Sequence, residues 1–144
     1  MARRASRAKA RTIPHSPPAD HPTLATVCTD LNDWPRSWMG FPEDLPPGEQ
    51  IVAAFRPFLL HLVALQLSRK TLRKHVDNLW LLGGELIRDV NNTPALRKRP
   101  IADLVFEAVE EGGPLLYHGD SETEQHSFDS TCRKLRRFLE QQSH

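Results

Sequence analysis

Apolar residues recur at helical spacing through the last two-thirds of the chain, separated by short polar or Pro/Gly-rich breaks. Ile51, Phe55, Phe58, Leu62 and Leu65 form one stripe, which predicts a helix after Pro46-Pro47-Gly48 that Pro57 kinks or restarts. Leu72, Val76, Leu79, Leu82, Leu86 and Val90 form a second, and Ser68 is a natural N-cap for a helix running to about Val90. Gly83-Gly84 interrupts that helix. Two interior glycines forfeit roughly 2 kcal/mol of helix propensity, so a bend or a close backbone approach is expected there.

NNTPALRKRP reads as a linker, with Pro100 as the first residue of a third helix that turns Ile101, Leu104, Val105 and Ala108 inward and ends at Gly112-Gly113. PLLYHGD is a loop. Ser121 and Glu124 have capping-box spacing, and a fourth helix presents Phe128, Cys132, Leu135 and Leu139. No strand alternation or internal repeat appears. These elements predict an all-α, compact bundle of four to five helices over residues 48–142.

The first third differs because eight of the twelve prolines lie before residue 48. Residues 1–24 read as a disordered basic arm, with Arg3, Arg4, Arg7, Lys9 and Arg11 and no acid in the first eleven positions. An Arg/Ser start free of acids also resembles an organellar transit peptide, against which Pro14, Pro17 and Pro18 stand. Residues 25–47 place Trp34, Trp38 and Phe41 among turn residues, either pinned to the core as a loop or exposed as an aromatic contact surface.

No apolar run approaches the roughly 20 residues that cross a bilayer. Cys28 and Cys132 are the only cysteines and no secretory h-region is visible, which points to a reducing, cytoplasmic setting. Neither a CxxC nor an HxxxH pair exists, and there is no Gly-rich phosphate loop, so no metal, cofactor or catalytic residue is expected. Cys132 lies on an apolar stripe and reads as core. His61 and His75 read as packing or surface residues.

Charge is what changes the picture. The net charge of +1 conceals blocks: eight cations from Arg69 to Arg99 against three acids, then eight acids and no Lys or Arg over residues 101–129, then Arg133, Lys134, Arg136 and Arg137. Arg69, Lys70, Arg73 and Lys74 crowd the positive end of a helix dipole, where each costs a few tenths of a kcal/mol unless an anion neutralises it. A phosphate would be held there by backbone N–H groups and by charge-assisted bonds. With Arg97, Lys98 and Arg99 in the linker and the run in the last helix, these clusters match the electrostatic footprint of a nucleic-acid binder. The blander alternative is a set of solvated faces, partly neutralised by neighbouring acids.

The run IVAAFRPFLLHLVALQLSRKTLRKHVDNLWLLGGELI, with its Leu67-Ser68-Arg69-Lys70-Thr71-Leu72-Arg73-Lys74-His75 segment, resembles the SAM-like N-terminal core-binding domain of tyrosine recombinases (phage integrases). FDSTCRKLRRFLE is similar to that domain's closing helix. The resemblance covers about residues 49–140. It implies a domain that clamps double-stranded DNA, with Arg69, Lys70, Arg73, Lys74, Arg133, Lys134, Arg136 and Arg137 as contacts and a recombinase or another protein as a further partner. The family's strand-cleaving Arg, His and Tyr residues lie in a separate domain that has no match here, and Tyr117 falls in a loop, so the expectation is a non-catalytic DNA-binding protein, such as an accessory protein of a mobile element. Residues 30–47 and Gly83-Gly84 depart from the family pattern. A helical protein–protein interaction module without a nucleic-acid role is the alternative.

Overall fold

The computed structural model describes residues 23–116 and 121–142. Among them are three short helices, α1 (Leu24–Val27), α2 (Trp34–Trp38) and α5 (Ile101–Ala108), and three long ones, α3 (Leu45–Ala64), α4 (Arg69–Asn92) and α6 (Glu122–Gln142). Three 3₁₀ turns, Leu31–Asp33, Pro42–Asp44 and Pro94–Lys98, link them. No strand occurs among the described residues, and the all-α bundle expected from the periodicity is what forms. No helix there is long and apolar enough to cross a membrane.

The predicted caps are in place. The Ser68 hydroxyl accepts from Thr71 N–H at 3.1 Å and starts α4, and the Ser121 hydroxyl accepts from Glu124 N–H at 3.1 Å and starts α6. Between α3 and α4, Gln66 takes the left-handed conformation (φ 60°) that lets the chain reverse, and its N–H closes on the Val63 carbonyl at 3.2 Å. Leu65, placed on the inward stripe by its spacing, falls in this turn and is half exposed. Pro46, Pro47 and Gly48 do not precede α3 but form its first turn, where missing N–H donors cost nothing. Helix α5 stops at Ala108, short of Gly112-Gly113. Gly113 is needed instead because Phe128 and Cys132 lie where a side chain would stand, with Cys132 Sγ 2.7 Å from an added Cβ.

α3 is central and packs against α2, α4 and α5, while α4 also carries α6. Leu72, Val76, Leu79, Leu82, Leu86 and Val90 of α4 are all buried, as are Phe128, Cys132 and Leu135 of α6. Burial is the first cause that pushes the Cys132 thiol up to about 12, followed by the Asp129 charge, so it stays protonated and inert.

Residues 25–47 are more regular than an irregular loop. Pro35 at the start of α2 presets a helical turn, Trp34 is buried in the core, and Trp38 lies across α4 at Gly83. A Cβ at Gly83 would sit 2.7 Å from Trp38 Cε2, so the glycine pair is a notch for an indole; α4 runs unbroken through it. Phe41, by contrast, is 55% exposed. Most of the basic arm, residues 1–22, lies outside the described residues, as do Tyr117 and His118.

Candidate nucleic-acid interface

The two long-range basic segments meet through a buried polar cluster. His75, 1% exposed, shares a 2.7 Å hydrogen bond with Thr131 Oγ1, and Asn78 Nδ2 donates to the same hydroxyl at 2.8 Å and to the Ser127 carbonyl at 3.2 Å. This ties the second turn of α4 to the middle of α6. Burial, then the charges of Lys74 and Lys134, push the His75 imidazole down to about 4, so it is neutral at pH 7. One lysine comes from each basic segment. Lys74 adjoins His75 in the chain, and Lys134 follows Thr131 by three residues on α6.

The C-terminal half of α6 also seats against the end of α3. Phe138 stacks between Phe58 and His61, with ring centroids 5.5 and 5.0 Å away, and a shallow hollow of about 160 Å³ is lined by His61, Leu65, Lys134 and Arg137. Since α3 runs directly into the turn that starts α4, the first turns of α4 and the last turns of α6 share one end of the bundle. Arg69, Lys70, Lys74, Lys134 and Arg137 are exposed there and make no ion pair among the described residues.

The remaining predicted cations divide differently. Arg73 donates to the Val27 carbonyl at 2.5 Å and anchors α1 to α4. Arg133, exposed and without an ion pair among the described residues, lines a hollow of about 410 Å³ together with Arg136, Arg137, Glu110, Glu111 and Glu140. Arg136 bonds Glu140 at 3.1 Å and the Phe106 carbonyl at 3.3 Å while its guanidinium lies 3.7 Å over the Phe106 ring, which fastens α5 to α6.

The linker cluster sits elsewhere altogether. Arg97 belongs with Asn91, at the far end of α4; twenty-two residues at 1.5 Å rise put that end roughly 33 Å from Arg69. Its guanidinium pairs with Asp44 at 2.7 Å, bonds Asn91 Oδ1 and donates to the Glu43 carbonyl at 3.2 Å. Asp44 is 0% exposed and also accepts from the N–H groups of Gly40 (2.9 Å) and Phe41 (3.1 Å) and from Asn91 (3.2 Å). Burial alone would raise this carboxyl, but Arg97 and these donors together hold it below the ordinary carboxylate range. Arg97 is thus an internal anchor, ion-paired with buried Asp44, with its side chain 26% exposed. Arg99 is bidentate on Glu107, so it too is paired within the chain, and Lys98 is exposed but stands at this far end.

Nothing in the sequence marked Arg97 for Asp44, because the partners are 53 positions apart and Asp44 lies in a Pro-rich stretch. The sequence likewise does not mark Arg136 for Phe106, 30 positions away. Among the described residues no group of three or more His, Cys, Asp and Glu side chains is arranged to hold a metal ion. No family model, no curated protein and no solved structure matches the chain.

Proposed function

We propose that this chain is a non-catalytic protein that binds double-stranded DNA through its phosphates, using the end of the bundle where α4 begins and α6 finishes. The observation that carries the reading is the 2.7 Å hydrogen bond between buried His75 of α4 and Thr131 of α6, which brings together the segments that bear Lys74 and Lys134, 60 residues apart. Like charges gathered without carboxylate partners repel, and a polyanion removes that repulsion. The contacting set is Arg69, Lys70, Lys74, Lys134 and Arg137, smaller than the sequence alone implied. Ser68 supplies a capped helix start whose dipole adds to the field. Phosphate contacts of this kind position a protein without reading bases, so affinity for random duplex is the property to measure. The integrase-like reading would make the chain a core-binding partner of a separate recombinase, the setting of an accessory protein in a mobile element.

The test is fluorescence anisotropy with a labelled random-sequence duplex of about 20 base pairs at low salt. Reversing Lys70, Lys74, Lys134 and Arg137 to glutamate should cost at least about a hundredfold in affinity, as expected when several phosphate contacts are lost, with an unchanged circular-dichroism spectrum. Undiminished binding by the folded variant would refute the reading.

A further inference from the structure

Beyond its basic first turns, α4 has an outer face that no other described element covers. Asp77, Trp80, Leu81, Gly84 and Arg88 line a groove of about 600 Å³, with Ser37 and Trp38 of α2 on one bank and Glu124 and Ser127 of α6 on the other. Trp80 is 40% and Leu81 36% exposed. A second hollow, of about 370 Å³, shares Asp77, Trp80 and Leu81 and extends the groove to Trp34 and Asp30.

Two features define what fits. Each indole N–H is already satisfied inside the protein: Trp38 Nε1 donates to the Trp80 carbonyl at 2.9 Å and Trp80 Nε1 to the Ser37 hydroxyl at 2.9 Å. The tryptophans therefore offer hydrocarbon, held in fixed orientation, and no free donor for a polar ligand. Gly84 leaves the centre of the floor without a side chain, so another backbone can approach closely. The banks, by contrast, carry an excess of acids, with Asp77 and Glu85 on α4, Glu124 on α6 and Asp30 further along, against Arg88, 3.5 Å from Glu85, and Arg73 in the second hollow. An apolar floor about three helical turns long between carboxylates is complementary to one kind of segment.

We infer that this groove docks an amphipathic helix of a partner protein, its apolar stripe on Trp38, Trp80 and Leu81 and its flanking Lys or Arg residues beside Asp77 and Glu124. The site is separate from the proposed DNA-binding end, so one helix, α4, would meet DNA through its first turns and a protein through its middle.

The experiment uses the full chain and two synthetic 16-residue helical peptides with the same leucine stripe, one flanked by lysines and one by glutamates, titrated by tryptophan fluorescence. The lysine peptide should bind at least tenfold more tightly than the glutamate peptide. Leu81→Glu, on a partly exposed position, should lower its affinity at least tenfold, and Asp77→Lys with Glu124→Lys should reverse the preference between the peptides. Binding of the random DNA duplex should persist in both variants and be strengthened by the added lysines, which separates failure of this inference from failure of the DNA reading. Equal binding of the two peptides, or indifference to both variants, would overturn the inference. So would binding that appears only after residues 1–22 are removed, since the groove would then belong to the chain's own N-terminus.

Discussion

Replacing Arg97 by alanine separates an internal anchor from a DNA contact. Truncating one partner of a buried ion pair typically costs about 3–5 kcal/mol, most of it from the charge left behind. Here Asp44 is fully buried, but it keeps three other donors, the N–H groups of Gly40 and Phe41 and the Asn91 amide, and the Arg97 side chain is itself 26% exposed. These reduce the expected loss to about 2–3 kcal/mol. For a domain of this size that lowers the melting temperature by roughly 10 °C. Arg97→Lys keeps the charge but not the fork that reaches Asp44, Asn91 and the Glu43 carbonyl together, and should recover only part of the loss. In the double variant with Asp44→Asn the two effects should be strongly non-additive, because removing the carboxylate charge removes the reason for the cation. Urea unfolding followed by circular dichroism measures all four, and anisotropy with duplex DNA is recorded on the folded proteins alongside. A folded Arg97→Ala protein with unaltered stability and tenfold weaker DNA binding would refute the reasoning.

Three further outcomes are expected. Gly83→Ala forces its methyl group into the Trp38 ring and should destabilise by about 1–3 kcal/mol, the usual range for overpacking; Trp38→Ala in the same chain should relieve that increment, and the two unfolding midpoints decide it. His75 binds its proton near pH 4 folded but near 6.5 unfolded, so the unfolded chain takes up the proton first as pH falls; stability is full above about pH 6.5 and declines towards pH 4, by up to about 3 kcal/mol. Urea midpoints at pH 7, 6 and 5 should fall accordingly in the natural chain and stay flat in His75→Gln, while Asp44 contributes nothing in that window because its carboxyl titrates below it. Gln66→Gly removes the cost of a left-handed backbone and should leave the protein as stable or more stable by up to about 1 kcal/mol, read as a shift in the melting temperature.

The four helices that carry the core were legible because their apolar residues keep a strict period and their caps, Ser68 and Ser121, sit in the right register. Less legible were contacts between segments distant in the chain. α1 and α2 are only four and five residues long and too short for a periodic signal, and what holds α2 is the fit of one indole into Gly83, 45 positions away. The glycine pair announced a close approach without naming the visitor. The basic residues were similarly half-readable. A run of cations in sequence winds around a helix, so Lys134 and Arg137 line one hollow with His61, Arg136 packs on Phe106, and Arg133 and Arg137 border a second hollow beside Glu110 and Glu111. Which cation remained open depended on where α5 and the Asp44 turn came to rest, and no local pattern encodes that. Trp80, Leu81 and Gly84 form a second apolar stripe on α4 that the periodicity contained but that the stronger inward stripe obscured.

The salt dependence of duplex binding probes the convergence of α4 and α6 most directly. With four to five phosphates neutralised by Arg69, Lys70, Lys74, Lys134 and Arg137, log K against log salt should fall with a slope of about −4, or roughly 250-fold between about 50 and 200 mM. Lys74→Gln and Lys134→Gln should each bring that slope closer to zero by about one, whereas Arg99→Gln, which removes a cation already bound to Glu107, should leave it unchanged. A slope near zero, or one that Arg99→Gln alters as much as the two lysine variants do, would contradict a DNA-binding end built from those two helices.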